Sequence, residues 1–183
     1  GAVVYTGDLR LHGPHPELIT KFTEQARAAR PKVLLIEGTR LGEATPTPDR
    51  PPSKAEPEVA PAIAEALANV TGLGLITLYP RNPARITELA KSLAQVGRTL
   101  VLSPETAYIY RAMKGDLESI AVFKRARDEH ALAQGTAPGW LKSLLESAPT
   151  LSSAEIATAQ SRYMLQLFFW DFGELNDIQP AQG

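Results

Sequence analysis

Short apolar runs that alternate with amphipathic helical patterns restrict this chain to the α/β class. Val33-Leu34-Leu35-Ile36, Leu73 to Leu78, Thr99 to Leu102 and Ser119 to Phe123 are of strand length, and the first is a continuous apolar run of the kind covered on both faces. The segments between them read as helices. Pro16 opens one whose Leu18, Ile19, Phe22, Ala26 and Ala29 share a face, and Pro83 to Val96 forms another, capped by Asn82, presenting Ile86, Leu89, Leu93 and Val96, and stopped by Gly97. With a strand at Val3 to Thr6, residues 3 to 36 make a βαβ unit whose strands run parallel.

One stretch breaks the alternation. From Gly42 to Pro61, prolines 46, 48, 51, 52, 57 and 61 lie among Thr, Ser, Glu and Asp, a composition that predicts a linker or domain border rather than a packed element. Beyond it the pattern predicts helices over 62–70, from Pro104 to about Lys114, and over 124–134 and 138–147. Ser152-x-x-Glu155 is a capping box, and Tyr163 to Phe169 reads as an apolar strand. The chain opens inside an apolar run and closes on a connector, so it reads as an internal piece of a longer protein.

Composition removes several functions. The 183 residues carry 19 Lys+Arg against 20 Asp+Glu, so no overall basic field exists to hold a polyanion, and any such ligand must be met locally. Zero cysteines exclude disulfides, thiolate zinc sites and cysteine nucleophiles, and fit a reducing compartment; a cytoplasmic location is the expectation. No apolar stretch approaches the roughly 20 residues of a spanning helix, so no membrane partner is expected. Glycine-rich nucleotide loops and nucleophile elbows are absent from the sequence, which disfavours a nucleotide-binding domain or a serine hydrolase.

Chemistry in open parallel sheets gathers at the carboxyl ends of the strands, where the first unit places Gly7-Asp8 and Glu37-Gly38-Thr39. A carboxylate there suits a metal ligand, and a second one nearby can orient a histidine or accept a proton; equally, an acid at a strand end can be a helix cap or a solvated turn residue.

Val4-Tyr5-Thr6-Gly7-Asp8-Leu9-Arg10-Leu11-His12-Gly13 followed by Val33-Leu34-Leu35-Ile36-Glu37-Gly38-Thr39-Arg40-Leu41-Gly42 resembles the later part of metallo-β-lactamase-fold nucleases of the β-CASP branch. Arg81-Asn82-Pro83-Ala84-Arg85-Ile86, Gly97 to Leu102, Ala107-Tyr108 and the tail through Tyr163, Leu175, Ile178, Pro180 and Gly183 resemble that branch's inserted domain. The resemblance implies a partial metallo-β-lactamase core over 1–45, a proline-rich crossover over 46–61 and a parallel-sheet β-CASP lid over 62–183. It also implies a zinc-dependent phosphodiesterase that processes RNA, in which two zinc ions activate a hydroxide for attack on phosphorus. Asp8 then matches the aspartate that bridges the zincs, and Glu37 the acid that holds a catalytic histidine. The His-x-His-x-Asp-His run and the later histidine motifs are missing here, so the chain alone is expected to have little activity and an incomplete zinc set. RNA, or single-stranded DNA, is the expected partner.

Four further residues are candidates for substrate contact. His12 is placed to donate to a phosphate or to sit in a surface turn, and Arg40 to contact RNA backbone or remain solvated. Arg81 and Arg85, with Arg98, are candidates to line a phosphate-tracking groove. The stripe Tyr163, Leu165, Leu167 and Phe169, with Phe168 and Trp170, has strand spacing and reads as core rather than as a base-stacking surface. The rival reading from another class is a non-catalytic RNA-binding or assembly module that keeps the fold with a degenerate site.

Overall fold

Among the described residues every strand pair is parallel, in a two-stranded sheet of order β1-β2 and a five-stranded sheet of order β3-β7-β4-β5-β6. The computed structural model describes residues 1–7, 15–36 and 54–181, and the chain divides into two units, Gly1–Val59 and Ala60–Gly183. The architecture is therefore α/β.

In the first unit, β1 (Val3–Tyr5) and β2 (Val33–Leu35) flank α1 (Pro16–Ala28), and Val3 pairs with Val33, Val4 with Leu34 and Tyr5 with Leu35. The ladder extends at both ends, where Lys32 N donates to Ala2 O (2.9 Å) and Thr6 N to Leu35 O (3.0 Å). The expectation that these strands are buried on both faces fails: Tyr5 is 70% exposed and Leu34 56%, and α1 has no buried residue. Two strands and one helix do not form the second layer that would cover both faces.

The second unit is threaded as α2 (Glu56–Leu67), β3 (Gly74–Ile76), α3 (Pro83–Gln95), β4 (Thr99–Leu102), α4 (Pro104–Ala112), β5 (Ile120–Lys124), α5 (Ala126–Ala133), α6 (Gly139–Ser147), β6 (Thr150–Ser152), α7 (Ser153–Thr158), β7 (Tyr163–Gln166) and α8 (Leu175–Ile178). Alternation along the strands divides the core in two. Leu100, Leu102, Ile120, Val122 and Met164 face one way, against Ala60 of α2, Ile86, Leu89 and Leu93 of α3, Ala107 and Tyr110 of α4, and Leu144 of α6. Val101, Ala121, Phe123 and Leu165 face the other, against Ile156 of α7 and Ile178 of α8.

Local signals explain most boundaries. Asn82 Oδ1 accepts from Arg85 N (3.1 Å), Ser152 and Glu155 form the reciprocal capping box, and Gly97 ends α3 with φ of +73°. The larger departures from the sequence pattern fall at three places. The α2 helix begins at Glu56, inside the proline-rich stretch: Pro57 sits in the first turn, where a missing N–H costs nothing, and burial of Ala60 and Ala64 holds the helix through Pro61. The last strand stops at Gln166 instead of Phe169, and the chain continues into a 3-10 turn over Phe169–Glu174. The short strand β6 gave no apolar run to read.

Arg98 fastens the amino edge of the larger sheet. Its Nη1 donates to Gly72 O and Tyr163 O (3.1 Å each), its Nη2 to Val70 O, and burial lowers its pKa. Arg98→Met removes all three donors while keeping most of the packing, and should cost about 2–4 kcal/mol of unfolding free energy, measured by urea denaturation.

Candidate functional site

The switch point of the larger sheet lies between β4 and β7. The connection after β4 enters α4 on the first face, whereas the connection after β7 leads to α8 on the second, the arrangement that marks the carboxyl ends of these neighbours as a candidate site. Buried polar side chains fill its floor. Gln166 Oε1 accepts from Ser103 N (3.2 Å) and Ser103 Oγ (3.3 Å), while its Nε2 donates to Thr106 Oγ1 (3.0 Å) and Leu78 O (3.3 Å). The amide thus joins the ends of β3, β4 and β7 with every polar atom paired.

A buried guanidinium lies beside this network. Arg125, just after β5, donates through Nε to Asp128 Oδ2 (2.7 Å), through Nη2 to Glu105 Oε1 (2.8 Å) and Asp128 Oδ1 (3.1 Å), and through Nη1 to Glu105 Oε2 (3.1 Å) and Asp171 Oδ1 (3.4 Å). Arg127 also reaches Asp171 Oδ1, at 2.6 Å. Burial opposes the charge on Arg125, but the hydrogen bonds to Asp128 and Glu105 outweigh it and raise its pKa. Burial likewise opposes the charge on Glu105, and the hydrogen bond from Arg125 overcomes it, leaving that carboxyl below its usual range. Asp171 Oδ2 is buried with no hydrogen-bond partner among the described residues.

Above this floor the loop after β7 exposes aromatic rings. Phe169 is 81% exposed, Trp170 69% and Phe172 51%. Phe168 stacks on Trp170 with centroids 5.1 Å apart and planes 19° apart, and Phe169 meets Phe172 at 5.7 Å and 57°. Parallel register carries the residues after β3 to the same edge: Ile76 pairs with Gln166, Thr77 Oγ1 donates to Leu167 O, and Tyr79 follows with 63% of its surface exposed. The core reading of the tail stripe therefore holds for the buried Leu165 and Leu167 and fails for Phe169 and Trp170, because the strand ends before them.

The expected site residues are distributed as follows. Tyr5 and Leu35 are register partners, so the strands leading to Asp8 and Glu37 end side by side; Asp8, His12, Glu37 and Arg40 themselves lie outside the described residues. Arg81 is exposed at the carboxyl edge of the larger sheet, and Arg85, half-buried, is in the first turn of α3. Arg98 is separated from them at the amino edge and is consumed by backbone carbonyls. Sequence reasoning missed Gln166, Arg125 and Asp171, although a glutamine inside Met164-Leu165-Gln166-Leu167 and the Arg125-x-x-Asp128 spacing were both readable signals.

Among the described residues no group of three or more His, Asp or Glu could hold a metal ion, and no helix is long and apolar enough to cross a membrane. A cleft of about 340 Å³ at the ends of β5 and β6 is lined by Lys124, Glu129, Ser152, Ser153 and Asp177, with Lys124 committed to Glu129 at 2.9 Å. No histidine lines it.

Arg125→Met should strand Asp128 in the interior, leave Asp171 to Arg127 alone, and cost about 3–5 kcal/mol, read by denaturant unfolding. Because the folded pKa of Glu105 is depressed, its contribution is present above the ordinary value of 4.5 and is lost as pH falls through the lower folded value. Glu105→Gln should therefore flatten the acid limb of the stability profile, seen as melting temperature against pH between neutral and strongly acidic buffer.

No family model and no curated protein matches the chain. A crystal structure of a protein of unknown function from Enterococcus faecalis is similar in fold, with a TM-score of 0.69 and 22% identity over 94% of this chain. The chain spans 36% of the length of that structure.

Proposed function

We propose that this chain forms part of a zinc-dependent phosphodiesterase that hydrolyses RNA, with residues 1–45 belonging to a metallo-β-lactamase core and residues 62–183 to a β-CASP-like lid. The observation that carries the reading is the parallel register of β1 and β2, which ends the two strands leading to Asp8 and Glu37 side by side. A bridging ligand and an acid that orients a histidine need such neighbouring strand ends. The resemblance of the flanking sequence supplies the rest. The exposed apolar faces of β1 and β2 support it too, since they suit a sheet completed by further strands.

The described residues cannot hold zinc by themselves, so the ligand set of this reading lies outside them, Asp8 included. Zinc, when bound, supplies a Lewis acid for water and for the phosphoryl group. Of this chain's own residues, Asp8 would help hold the metal and offset its charge, and Glu37 would fix a histidine supplied from elsewhere. Arg81 and Arg85 are the candidates to meet RNA phosphates, with His12 and Arg40 as further candidates from the sequence.

Two substitutions in the protein that carries the whole site separate these roles. Asp8→Ala should lower zinc content and RNA hydrolysis together, because the cations lose a shared neutralising charge. Glu37→Gln should leave most of the zinc bound and reduce turnover by about 10 to 100-fold. Elemental analysis beside an RNA cleavage assay reads both. Full zinc with normal cleavage in both variants would remove the assignment, and RNA binding without zinc or cleavage in the unsubstituted protein would establish the non-catalytic module instead.

A further inference from the structure

We infer that residues 175–181 form a flap that closes the second face of the larger sheet and opens as one unit while the sheet stays folded. Its opening is independent of the ribonuclease reading.

The two faces of that sheet are covered unequally among the described residues. The first is packed by α2, α3, α4 and α6, of 9 to 13 residues each, whereas on the second α7 has six residues and α8 four. Helices this short have no stability of their own. Within the flap only Ile178 is buried, at 1% exposure, where it joins Val101, Ala121, Phe123 and Leu165 in the second core, with Leu175 half-buried against them. No residue of the flap belongs to a strand ladder.

Polar contacts mark where the flap begins and what latches it. Up to Glu174 the chain is pinned from below: Asp171 Oδ1 accepts from Arg125 and Arg127, and Glu174 Oε2 accepts from Ala126 N and Ser153 Oγ, at 3.3 Å each. Beyond Glu174 one side chain does the fastening. Gln160, in the 3-10 turn Gln160–Arg162 before β7, donates from Nε2 to Gln179 O (3.1 Å) and Ile178 O (3.4 Å), and its Oε1 accepts from Ala181 N (2.8 Å). The latch works against strain, since Gln179 holds φ +49° and ψ +69°, left-handed backbone that a residue bearing a Cβ adopts at a cost.

One apolar anchor, one amide latch and a strained residue between them oppose little when the flap lifts. The strands beneath are held differently: β4 and β7 each carry a ladder on both sides and side chains in both cores. Opening of the flap therefore has a lower free energy than unfolding of the unit, and it uncovers the second core without breaking the sheet.

Hydrogen exchange of the 183-residue chain, followed by NMR in low urea, reads the flap at the amide of residue 179, which bonds to Leu175 O (2.8 Å), and at the Ala181 amide. Both should be at least about tenfold less protected than the amides of Leu100 and Leu165 and should share one urea slope, because opening exposes Ile178 and the cluster beneath it. Gln160→Ala should lower the protection of both flap amides about tenfold, although residue 179 does not donate to Gln160. Gln179→Gly should raise both about threefold by relieving the strain. The strand amides should not change in either variant.

Opposite shifts in the two variants, confined to residues 175–181, establish the flap. Independent fraying of the segment gives another pattern, in which only Ala181 responds to Gln160→Ala and no urea slope appears, and that pattern overturns it. So do flap amides that exchange only at the free energy of global unfolding, or strand amides that lose protection equally in Gln160→Ala.

Discussion

The second unit depends on a strand that arrives last and sits inside the sheet. β7 is hydrogen-bonded to β3 on one side and β4 on the other, so Met164 is register partner to both Gly74 and Leu100, and Leu165 to both Leu75 and Val101. A parallel strand so placed must satisfy two ladders and two cores at once, and Met164 and Leu165 do this by pointing to opposite faces. Gly74 lets β7 approach: a Cβ there would lie 3.2 Å from a methyl of Leu67 and 3.4 Å from Met164 Cγ. Since β3 pairs only with β7 among the described residues, its ladder forms only after residues near 165 are in place. Folding of this unit is accordingly non-local and cooperative.

The two edges of that sheet spend their buried polar groups differently. At the amino edge, Arg98 serves backbone carbonyls and has nothing left for a ligand. At the carboxyl edge, Gln166 ties three strand ends together and Arg125 gathers acids from α4, α5 and the loop after β7. A buried ion cluster of this kind is often no more stable than apolar packing of the same volume. Its physical consequence here is position: it fixes a loop that has no ladder of its own against three elements that do. Rigidity under an exposed surface is what a binding site requires and a solvated loop does not.

Much of this architecture was legible because local signals agreed with tertiary packing. Asn82, Pro83 and Gly97 set the limits of α3, and the run Thr99 to Leu102 is the strand observed. The failures have physical reasons. Pro57 and Pro61 look like breakers, yet one falls in a first turn and the other is outweighed by burial of neighbouring alanines. Phe169 and Trp170 continue the apolar run of β7, and composition cannot show that hydrogen bonding stops at Gln166. Arg125, Glu105 and Asp171 are far apart in sequence and meet only when β5, β4 and β7 align, so the ion cluster was invisible to spacing. Arg81 and Arg85 were separable from Arg98 only once strand direction assigned them to opposite edges.

Two kinds of exposed apolar surface remain, and their chemistry distinguishes what each can accept. β1 and β2 expose aliphatic side chains together with Tyr5, on strands with one hydrogen-bonded neighbour apiece. A two-stranded sheet is at best marginal alone, and aliphatic strand faces are satisfied by other strands or helices packed at interior density, with the free strand edges taking further ladders. The natural complement of such a surface is polypeptide. The rings after β7 differ on each point: they lie outside any ladder, on a segment whose backbone is held from below by Asp171, and they present π-faces that need no interdigitating side chains. Asp171, buried below them, is held by Arg125 and Arg127, so the segment keeps its place without a covering layer. The strand faces of β1 and β2 therefore lack a covering layer, whereas the segment after β7 is held by an ion cluster of its own unit.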